Sequence, residues 1–290
     1  MGNLDDIVSS EPKGKQTQED YSYKELINGK PRTRQYSAKI DVPYGNYHNH
    51  TTMSDGDLTP DELVGEAVEA RLKEIGITDH YFTKKLPEKK VIKPDNIQNY
   101  LAAIDKLRKK YGKEINILAG LEIDARKWNF ELKNLPFDKF NKLDYVLFEY
   151  VDEEGDSYSL KEVIGIRKNL KCEVGLAHSK VGRLIDKYGS EKLVQMLVEN
   201  DIFIDACGSV RNSNLVPYKN EDRPGVQRAY SLYIEGLGAN FKEAARKYGL
   251  KFAPSSDTHH NNDSDRIVNA GNASKTIKDY GFTPKRFDKK

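Results

Sequence analysis

The chain has little of what disulfide-stabilised, membrane-spanning and duplex-binding proteins need. Only two of its 290 residues are cysteines, too few for a disulfide framework or for a zinc site built from thiolates. No segment approaches the apolar length that spans a bilayer, and the start MGNLDDIVSS lacks the positive residues and apolar run of a secretion signal. Acidic and basic residues are interspersed and leave a net charge of only +2, so no basic stripe for duplex nucleic acid is expected. These absences predict a soluble, cytoplasmic protein with neither a membrane nor duplex nucleic acid as a partner.

Composition divides the chain into four regions. Residues 1–20 are polar, have little to bury, and are expected to form a flexible N-terminal arm. Residues 21–43 are better mixed and are expected to pack as an extension. Residues 44–262 are expected to form the main domain, with residues 263–290 as a C-terminal tail packed on it. The length of 290 residues suits one large domain.

Short apolar segments alternate with amphipathic stretches from Tyr44 onward. Seven such segments are evident, at residues 44–50, 75–80, 115–123, 143–151, 172–178, 201–207 and 250–257. The stretches between them, such as TPDELVGEAVEARL, carry apolar residues at helical spacing. In that stretch Thr59 is the predicted N-cap and Glu62 holds the capping-box position. Because strands that alternate with helices form right-handed βαβ units, the pattern predicts an α/β protein with a parallel sheet.

Two histidines lie one residue apart in the first segment, YHNHTTMSDGDLTP. Alternate side chains of a strand point to the same face, so His48 and His50 converge while Asn49 points away. Converging neutral imidazoles suit a divalent metal ion. For this motif taken alone, the alternative is an inert pair on a surface strand.

The positions of the other histidines favour the metal. All six histidines close or follow a predicted strand: His48, His50, His80, His178, His259 and His260. Acidic residues occupy the same places: Asp55, Asp79, Glu122, Asp124, Glu149, Asp205 and Asp257. The carboxyl ends of parallel barrel strands share one rim, where barrel enzymes build their active sites. The sequence therefore predicts a metal centre of imidazole and carboxylate at this rim.

Five motifs, in order along the chain, resemble those of the PHP (polymerase and histidinol phosphatase) domain family. HNHTTMSDG resembles the first motif, ITDH the second, AGLEID the glutamate motif, GLAHS a later histidine motif and SSDTHH the final motif. The resemblance covers roughly residues 44–262. It implies a distorted (β/α)7 TIM-like barrel that holds two or three divalent metal ions at its mouth.

The resemblance also implies a role for each motif residue. His48, His50, Glu122 and Asp257 resemble the ligands of a first metal, Glu122 and His178 those of a second, and Asp55, His80 and His259 those of a third. Imidazole and carboxylate without thiolate suit zinc, manganese or iron. Asp79 points away from His80 and is expected to support the ligands, whereas His260 is off the pattern and expected to be exposed.

One family residue is missing. Family phosphatases commonly carry a further histidine after the fourth strand, where this chain reads LDYVLFEYVDEEGD, with Val151 near the histidine position. Strand alternation puts Glu149 and Val151 on one face. Two outcomes stay open: the second metal site is weak or empty, or Glu149 reaches inward as a substitute ligand.

A metal cluster of this kind suits hydrolysis of phosphate esters by metal-activated water. The expected activity is that of a metal-dependent phosphomonoesterase on a small, histidinol-phosphate-like ester, with Asp55 and His80 as catalytic residues. Arg211 is the candidate clamp for the phosphate, because guanidinium matches phosphate geometry. One alternative is a 3',5'-nucleotide phosphatase or small exonuclease, and another is a catalytically degenerate metal-binding module. The sequence leaves the oligomeric state open.

Overall fold

The computed structural model describes residues 21–27, 30–36, 43–129, 131–153, 156–207, 237–257, 259 and 266–287. The predicted N-terminal arm, the candidate clamp Arg211 and the off-pattern His260 lie outside these residues.

Parallel strands form the centre of the fold. The strands are β1 (Tyr21–Ile27), β2 (Lys30–Tyr36), β3 (Gly45–Asn46), β4 (Glu74–Ile77), β5 (His80–Tyr81), β6 (Asn116–Ala119), β7 (Glu122–Asp124), β8 (Tyr145–Glu149), β9 (Glu173–Ala177), β10 (Ile202–Cys207), β11 (Lys251–Ser255) and β12 (Thr283–Pro284). Every neighbouring pair from β3 to β11 is parallel. All five residues of β8 are buried, as expected for a strand covered on both faces. Each of the seven predicted apolar segments contains a strand, which confirms the α/β fold class.

The second and third predicted strands are each interrupted, and this distorts the sheet. β4 continues as β5, and β6 continues as β7, after a break of two residues. At the breaks, the Tyr100 hydroxyl lies 2.9 Å from the carbonyl oxygen of Ile77 and 2.7 Å from that of Gly120. A Cβ atom at Gly120 would lie 2.8 Å from atoms of the Thr78 and Tyr145 side chains, so only glycine fits at this break. Beyond the breaks His80 pairs directly with Glu122, which brings two predicted ligands side by side.

Backbone and side-chain hydrogen bonds join the segment of β3 to that of β11. The Tyr47 amide donates to the carbonyl of Pro254 at 3.2 Å, and the Asp257 amide donates to the carbonyl of His48 at 2.9 Å. Asn46 donates to the Ser256 hydroxyl at 2.8 Å and accepts from the Ser256 amide at 3.1 Å. The seven segments thus close into a distorted barrel. The first motif, HNHTTMSDG, and the last, SSDTHH, meet at its rim.

Helices cover the outside of the barrel. They are α1 (Pro60–Glu69), α2 (Ile97–Tyr111), α3 (Phe137–Phe140), α4 (Leu160–Arg167), α5 (Val181–Tyr188), α6 (Ser190–Glu199), α7 (Ala239–Tyr248) and α8 (Arg266–Asp279). The predicted capping box is confirmed: the Thr59 side chain accepts from the Glu62 amide and the Glu62 side chain accepts from the Thr59 amide. Ser159 and Glu162 form a second capping box at α4. Among the residues that the structure describes, no helix combines the length and apolar character that crossing a membrane requires.

The amino end of the barrel is closed by the last described residues of the chain. β12 pairs in parallel with β11, and Phe287 packs against Tyr47 and Tyr145 at ring-centroid distances of 5.2 and 4.9 Å. The buried Glu74 accepts hydrogen bonds from the Tyr47 hydroxyl at 2.7 Å and from the Phe287 amide at 3.1 Å. β1 and β2 form a separate antiparallel hairpin. The domain boundaries proposed from composition stay predictions.

Candidate metal centre

All eight predicted ligands lie in one continuous cluster at the carboxyl rim. They are His48, His50, Asp55, His80, Glu122, His178, Asp257 and His259, and they fall into overlapping groups in which ligand atoms lie within 4.8 Å of one another. The motifs that contribute them span more than two hundred residues of sequence. The barrel brings them together because every contributing strand points the same way.

Backbone conformation helps to aim two of these side chains. His178 and Asp257 have φ angles of 49° and 48°, in the left-handed region that residues other than glycine rarely adopt. Such conformations cost free energy and persist where the surrounding structure holds them. His178 directly follows β9 and Asp257 lies two residues after β11, so the change of backbone conformation there replaces the regular alternation of faces.

The first predicted group has the spacing of a metal site. His48 Nε2 and His50 Nε2 lie 3.1 Å apart, and each lies 3.4 Å from Asp257 Oδ1. Glu122 adds one oxygen 3.2 Å from His48 Nε2 and the other 3.3 Å from His50 Nε2. Ligand atoms around a tetrahedral ion with bonds of 2.0–2.1 Å are about 3.3–3.4 Å apart. The four side chains therefore converge as the ligands of one ion would.

The second group is larger than the sequence predicted. His178 Nε2 lies 3.3 Å from Glu122 Oε1 and 3.3 Å from Asp257 Oδ2, and His48 also belongs to the group around Glu122 and His178. Asp257 thus faces His48 and His50 with one oxygen and His178 with the other. The fold therefore brings His48 and Asp257 next to the predicted pair Glu122 and His178.

The third group lies on the outer side of His50. Asp55 is 3.7 Å from His80 Nε2 and 3.6 Å from His259 Nε2, and His50 Nδ1 is 3.7 Å from the same carboxylate. The His50 and His259 rings stack at 4.1 Å. Asp55 and His259 are the more exposed ligands, at 18% and 23%, so this group faces the opening of the centre.

Buried atoms without hydrogen-bond partners support a metal at this place. Six such side-chain atoms occur among the described residues: His50 Nδ1, His80 Nδ1, both Glu122 carboxylate oxygens, Asp205 Oδ1 and Asp257 Oδ1. Orphaned buried polar atoms are rare, since each costs desolvation free energy. Because five of the six belong to predicted ligands, the donor set fits divalent cations.

Further carboxylates orient the ligands. Asp205 Oδ2 lies 2.7 Å from His48 Nδ1 and leaves Nε2 to face the cluster; the sequence placed Asp205 at the rim without giving it this role. Such carboxylate–histidine pairs orient metal-binding imidazoles. Asp79 accepts from the Thr51 amide and hydroxyl at 2.8 Å and from the Ser54 hydroxyl at 2.6 Å. Its support therefore acts on the loop that carries His50 and Asp55.

Charges within the cluster shift its pKa values strongly. Burial opposes protonation of His50 and His178, but Asp257 and Glu122 outweigh it and raise the pKa of His50 to about 10 and that of His178 to about 9. The same opposition, with Glu122, Asp205 and Asp257 prevailing, raises the pKa of His48 well above its usual range. Burial and the charge of His50 lower the pKa of His259 to about 4. In metal-free protein the inner imidazoles carry protons that a metal ion would replace.

Metal binding at neutral pH is accordingly expected to release protons. A histidine binds metal through an unprotonated nitrogen, and His50 and His178 stay protonated up to pKa values of about 10 and 9 in the absence of metal. Titration calorimetry of metal-free protein with Mn²⁺ at pH 7, in two buffers of different ionisation enthalpy, should report release of at least about two protons. Metal affinity should also rise with pH up to about 9. Buffer-independent heats would contradict this prediction.

Glu149, next to the missing family histidine, points into the cluster. It is buried, and one of its oxygens groups with ligand atoms of His80 and Glu122, while Lys85 Nζ forms an ion pair with Oε1. The prediction that Val151 shares its face is wrong: Tyr150 has a φ of 59°, and Val151 packs in the hydrophobic core shared by the strands and helices. The change of backbone conformation at Tyr150 breaks the alternation on which that prediction relied.

A Glu149→Gln substitution is expected to weaken metal binding without removing an ion. Lys85 already neutralises part of the Glu149 charge, so the amide should lower affinity by about 10- to 100-fold, as loss of a supporting group does. Metal content should be measured by plasma mass spectrometry over a series of free-metal concentrations. Glu191→Gln is the matched control, because Glu191 is an exposed glutamate paired with Lys247. Loss of one full equivalent at saturating metal would instead make Glu149 a direct ligand.

Fold and site together define a class: a parallel α/β barrel with a cluster of His, Asp and Glu side chains suited to metal binding at its mouth, as found in metal-dependent hydrolases. The PHP domain model matches residues 46–250, and this chain belongs to that family. It is a metal-dependent phosphoesterase by family and donor set.

Relatives agree with this assignment. The chain is 30% identical over 224 residues to the uncharacterized protein MJ1295 of Methanocaldococcus jannaschii, covering 74% of this chain and 80% of the relative. It is 36% identical over 99 residues to the 5'-3' exoribonuclease Rnm of Salmonella typhimurium, covering 33% of this chain and 29% of that protein. The crystal structure of histidinol phosphate phosphatase from Lactococcus lactis, complexed with zinc, L-histidinol and phosphate, has a TM-score of 0.55. That likeness covers 83% of this chain and 94% of the other at 19% identity, and it shows the shared fold.

Proposed function

We propose that this protein hydrolyses small phosphate monoesters at the rim cluster, with histidinol phosphate as the first substrate to test. The observation that carries the proposal is the overlap of the buried donor groups, in which His48, His50, His80 and Glu122 each belong to more than one group. Shared ligands are what two or three closely spaced ions require. Phosphate monoesters need such a centre because their uncatalysed hydrolysis is among the slowest reactions known.

The proposal assigns the ligands by contact. His48, His50, Glu122 and Asp257 would hold the first ion, Glu122, His178 and Asp257 the second, and Asp55, His80 and His259 the third. Zinc, manganese and iron all suit these donors. When bound, such ions lower the pKa of water and offset charge on phosphoryl oxygens.

The substrate would approach from the more exposed third group. Asp55 and His80 are the proposed catalytic residues, because they line the place where the phosphoryl group would bind. The positive charge of bound metal ions would offset the negative charge of the clustered carboxylates, so a phosphate would not be repelled. Arg211 stays a predicted phosphate clamp outside the described residues. The cytoplasmic location and the lack of a duplex nucleic-acid partner also stay predictions.

A second candidate function is that of a nucleotide phosphatase or small exonuclease. The similarity to the exoribonuclease Rnm, 36% identity over 99 residues, favours it. Both candidate functions use the same metal centre. They differ in the group to which the phosphate of the substrate is attached.

A panel of phosphate esters tests the proposal. Purified protein would be stripped of metal, reloaded separately with Zn²⁺, Mn²⁺ or Fe²⁺, and assayed for phosphate release from histidinol phosphate, ribose 5-phosphate, mononucleotides, 3',5'-bisphosphonucleotides and short RNA. Turnover of at least one monoester is expected, with chelated protein as the control. Metal-loaded protein that releases phosphate from no member of the panel would leave the degenerate metal-binding module as the better interpretation.

A further inference from the structure

A cationic and aromatic surface adjoins the metal centre and has no part in holding metal. It consists of Lys85, Arg126, Trp128 and Tyr150, which we call the aromatic shelf. Arg126 Cζ lies 4.7 Å from the Trp128 ring centroid and 4.8 Å from that of Tyr150, and Lys85 Nζ lies 4.5 Å from the Tyr150 ring. The two cations and two rings therefore form one continuous surface.

The aromatic shelf is continuous with the ligand cluster. Tyr150 directly follows Glu149, and its ring lies 6.1 Å from that of His178, between centroids. Lys85 pairs with Glu149, whose carboxylate groups with His80 and Glu122. A ligand with its phosphate at the metals would thus have Lys85 and Tyr150 as its next neighbours.

Buried polar contacts hold the aromatic shelf in place. Asp124, which is fully buried, accepts from Arg126 Nε at 2.9 Å and from Nη2 at 2.6 Å, so the guanidinium plane is fixed. The turn that carries Trp128 is secured through Asn129, which accepts from the Lys84 amide at 2.9 Å. The Lys127 amide donates to the Asp156 carbonyl at 2.7 Å. Little conformational freedom would be lost when a ligand binds here.

The aromatic shelf also exposes apolar surface that the fold leaves uncovered. Trp128 is 38% exposed, and Phe82, which follows the ligand strand β5, is 39% exposed. Phe82 has a φ of 43°, a strained conformation for a bulky side chain. Lys84 connects the two segments, since Lys84 Nζ donates to the Trp128 carbonyl. Within the aromatic shelf, Trp128 thus keeps an exposed ring that a ligand could cover.

We infer that the aromatic shelf binds the nucleobase of a nucleotide substrate whose phosphate lies at the metal centre. Nucleobases stack on aromatic rings and on arginine guanidinium planes. The inference rests on the proposed phosphoesterase function and deepens its second candidate, because it makes a nucleoside the leaving group of the phosphate ester. Trp128 and Arg126 then determine specificity by contact with the base.

Tryptophan fluorescence reads this site directly, because Trp128 is the single tryptophan among the 290 residues. The metal-loaded full chain would be mixed with adenosine 5'-monophosphate or with ribose 5-phosphate, which carries the same phosphate without the base. Immediate quenching by the nucleotide and none by the sugar phosphate is expected. Equal quenching by both, or by neither, would overturn the inference.

Kinetics supply the second arm. Trp128→Ala should lower kcat/KM for adenosine 5'-monophosphate by roughly 5- to 100-fold, the usual loss for one stacking side chain, and change that for ribose 5-phosphate by less than about twofold. Trp128→Phe should recover part of the loss, since it keeps a ring. Tyr44→Ala is the matched control: Tyr44 is 42% exposed and has Arg286 4.5 Å from its ring, but it lies at the amino end of the barrel.

The outcomes separate the two proposals. Hydrolysis of both esters with Trp128→Ala affecting neither, or affecting both equally, would overturn the aromatic shelf and leave phosphomonoesterase activity standing. Absence of phosphate release from every ester would reject the proposed function, while selective quenching by the nucleotide would still support base binding.

Discussion

Asp257→Asn is expected to abolish turnover and to empty the inner metal site. The Asp257 carboxylate lies 3.4 Å from both His48 Nε2 and His50 Nε2 and 3.3 Å from His178 Nε2, so like Glu122 it is an acidic group common to the first two sets of ligands. An amide offers one neutral oxygen in its place. Since loss of a mere supporting group costs about 10- to 100-fold in metal affinity, loss of this ligand should cost at least about 100-fold in affinity and in kcat. Metal analysis and phosphate release would measure both.

Asparagine is the informative replacement because of the backbone. Asp257 has a φ of 48°, which asparagine tolerates and alanine does not, so the fold should be spared. Asp201→Asn is the matched control: Asp201 has a φ of 47° and is exposed in the turn before β10. A variant Asp257→Asn that kept its full metal content and near-normal turnover would remove Asp257 from the ligand set.

Metal removal is expected to stop catalysis and to destabilise the protein in a pH-dependent way. An ion that binds only the folded state at one hundred times its Kd contributes about 2.7 kcal/mol, which corresponds to roughly 4–5 °C in Tm for a chain of 290 residues. Differential scanning calorimetry of chelated and reloaded protein, with phosphate release on the same samples, would measure both effects. Reloading with metal should restore activity. Activity that survives chelation would refute metal-dependent hydrolysis.

The pH dependence of metal-free protein follows from the raised histidine pKa values. His50 and His178, with pKa values of about 10 and 9 when folded, bind more protons folded than unfolded once the pH exceeds about 6.5. Their contribution is therefore complete below about pH 6.5 and is lost as the pH rises through 9 to 10. The gap in Tm between metal-loaded and metal-free protein should widen over that window. A constant gap would show that these imidazoles are neutral in metal-free protein.

Much of the metal centre could be predicted because its pattern is local. His48 and His50 share a face by strand alternation. The other predicted ligands follow apolar segments, and such continuous apolar runs are typical of parallel strands that are buried on both faces. The structure gathers all eight predicted residues into overlapping groups. Their roles as ligands remain predictions that the metal analyses above would test.

Prediction failed where the backbone departs from regular alternation. Val151 was expected beside Glu149, but the positive φ of Tyr150 turns the chain and sends Val151 into the hydrophobic core. Asp257 joins the predicted pair Glu122 and His178 for a similar reason, since its side chain follows a backbone with a positive φ angle. No sequence rule places an aspartate or histidine in that conformation, because the neighbouring structure holds it there.

By itself the sequence determined where strands follow one another along the chain, the caps of helices such as α1 and the types of donor atom at the rim. Each of these depends on neighbours within a few residues. Only the tertiary structure decided which donor atoms lie close to one another, that Asp205 contacts His48, and that Lys85 and Arg126 meet the rings of Tyr150 and Trp128. Those contacts join residues on different strands and loops. They depend on the closure of the barrel, which brings positions far apart in the chain to within hydrogen-bonding distance.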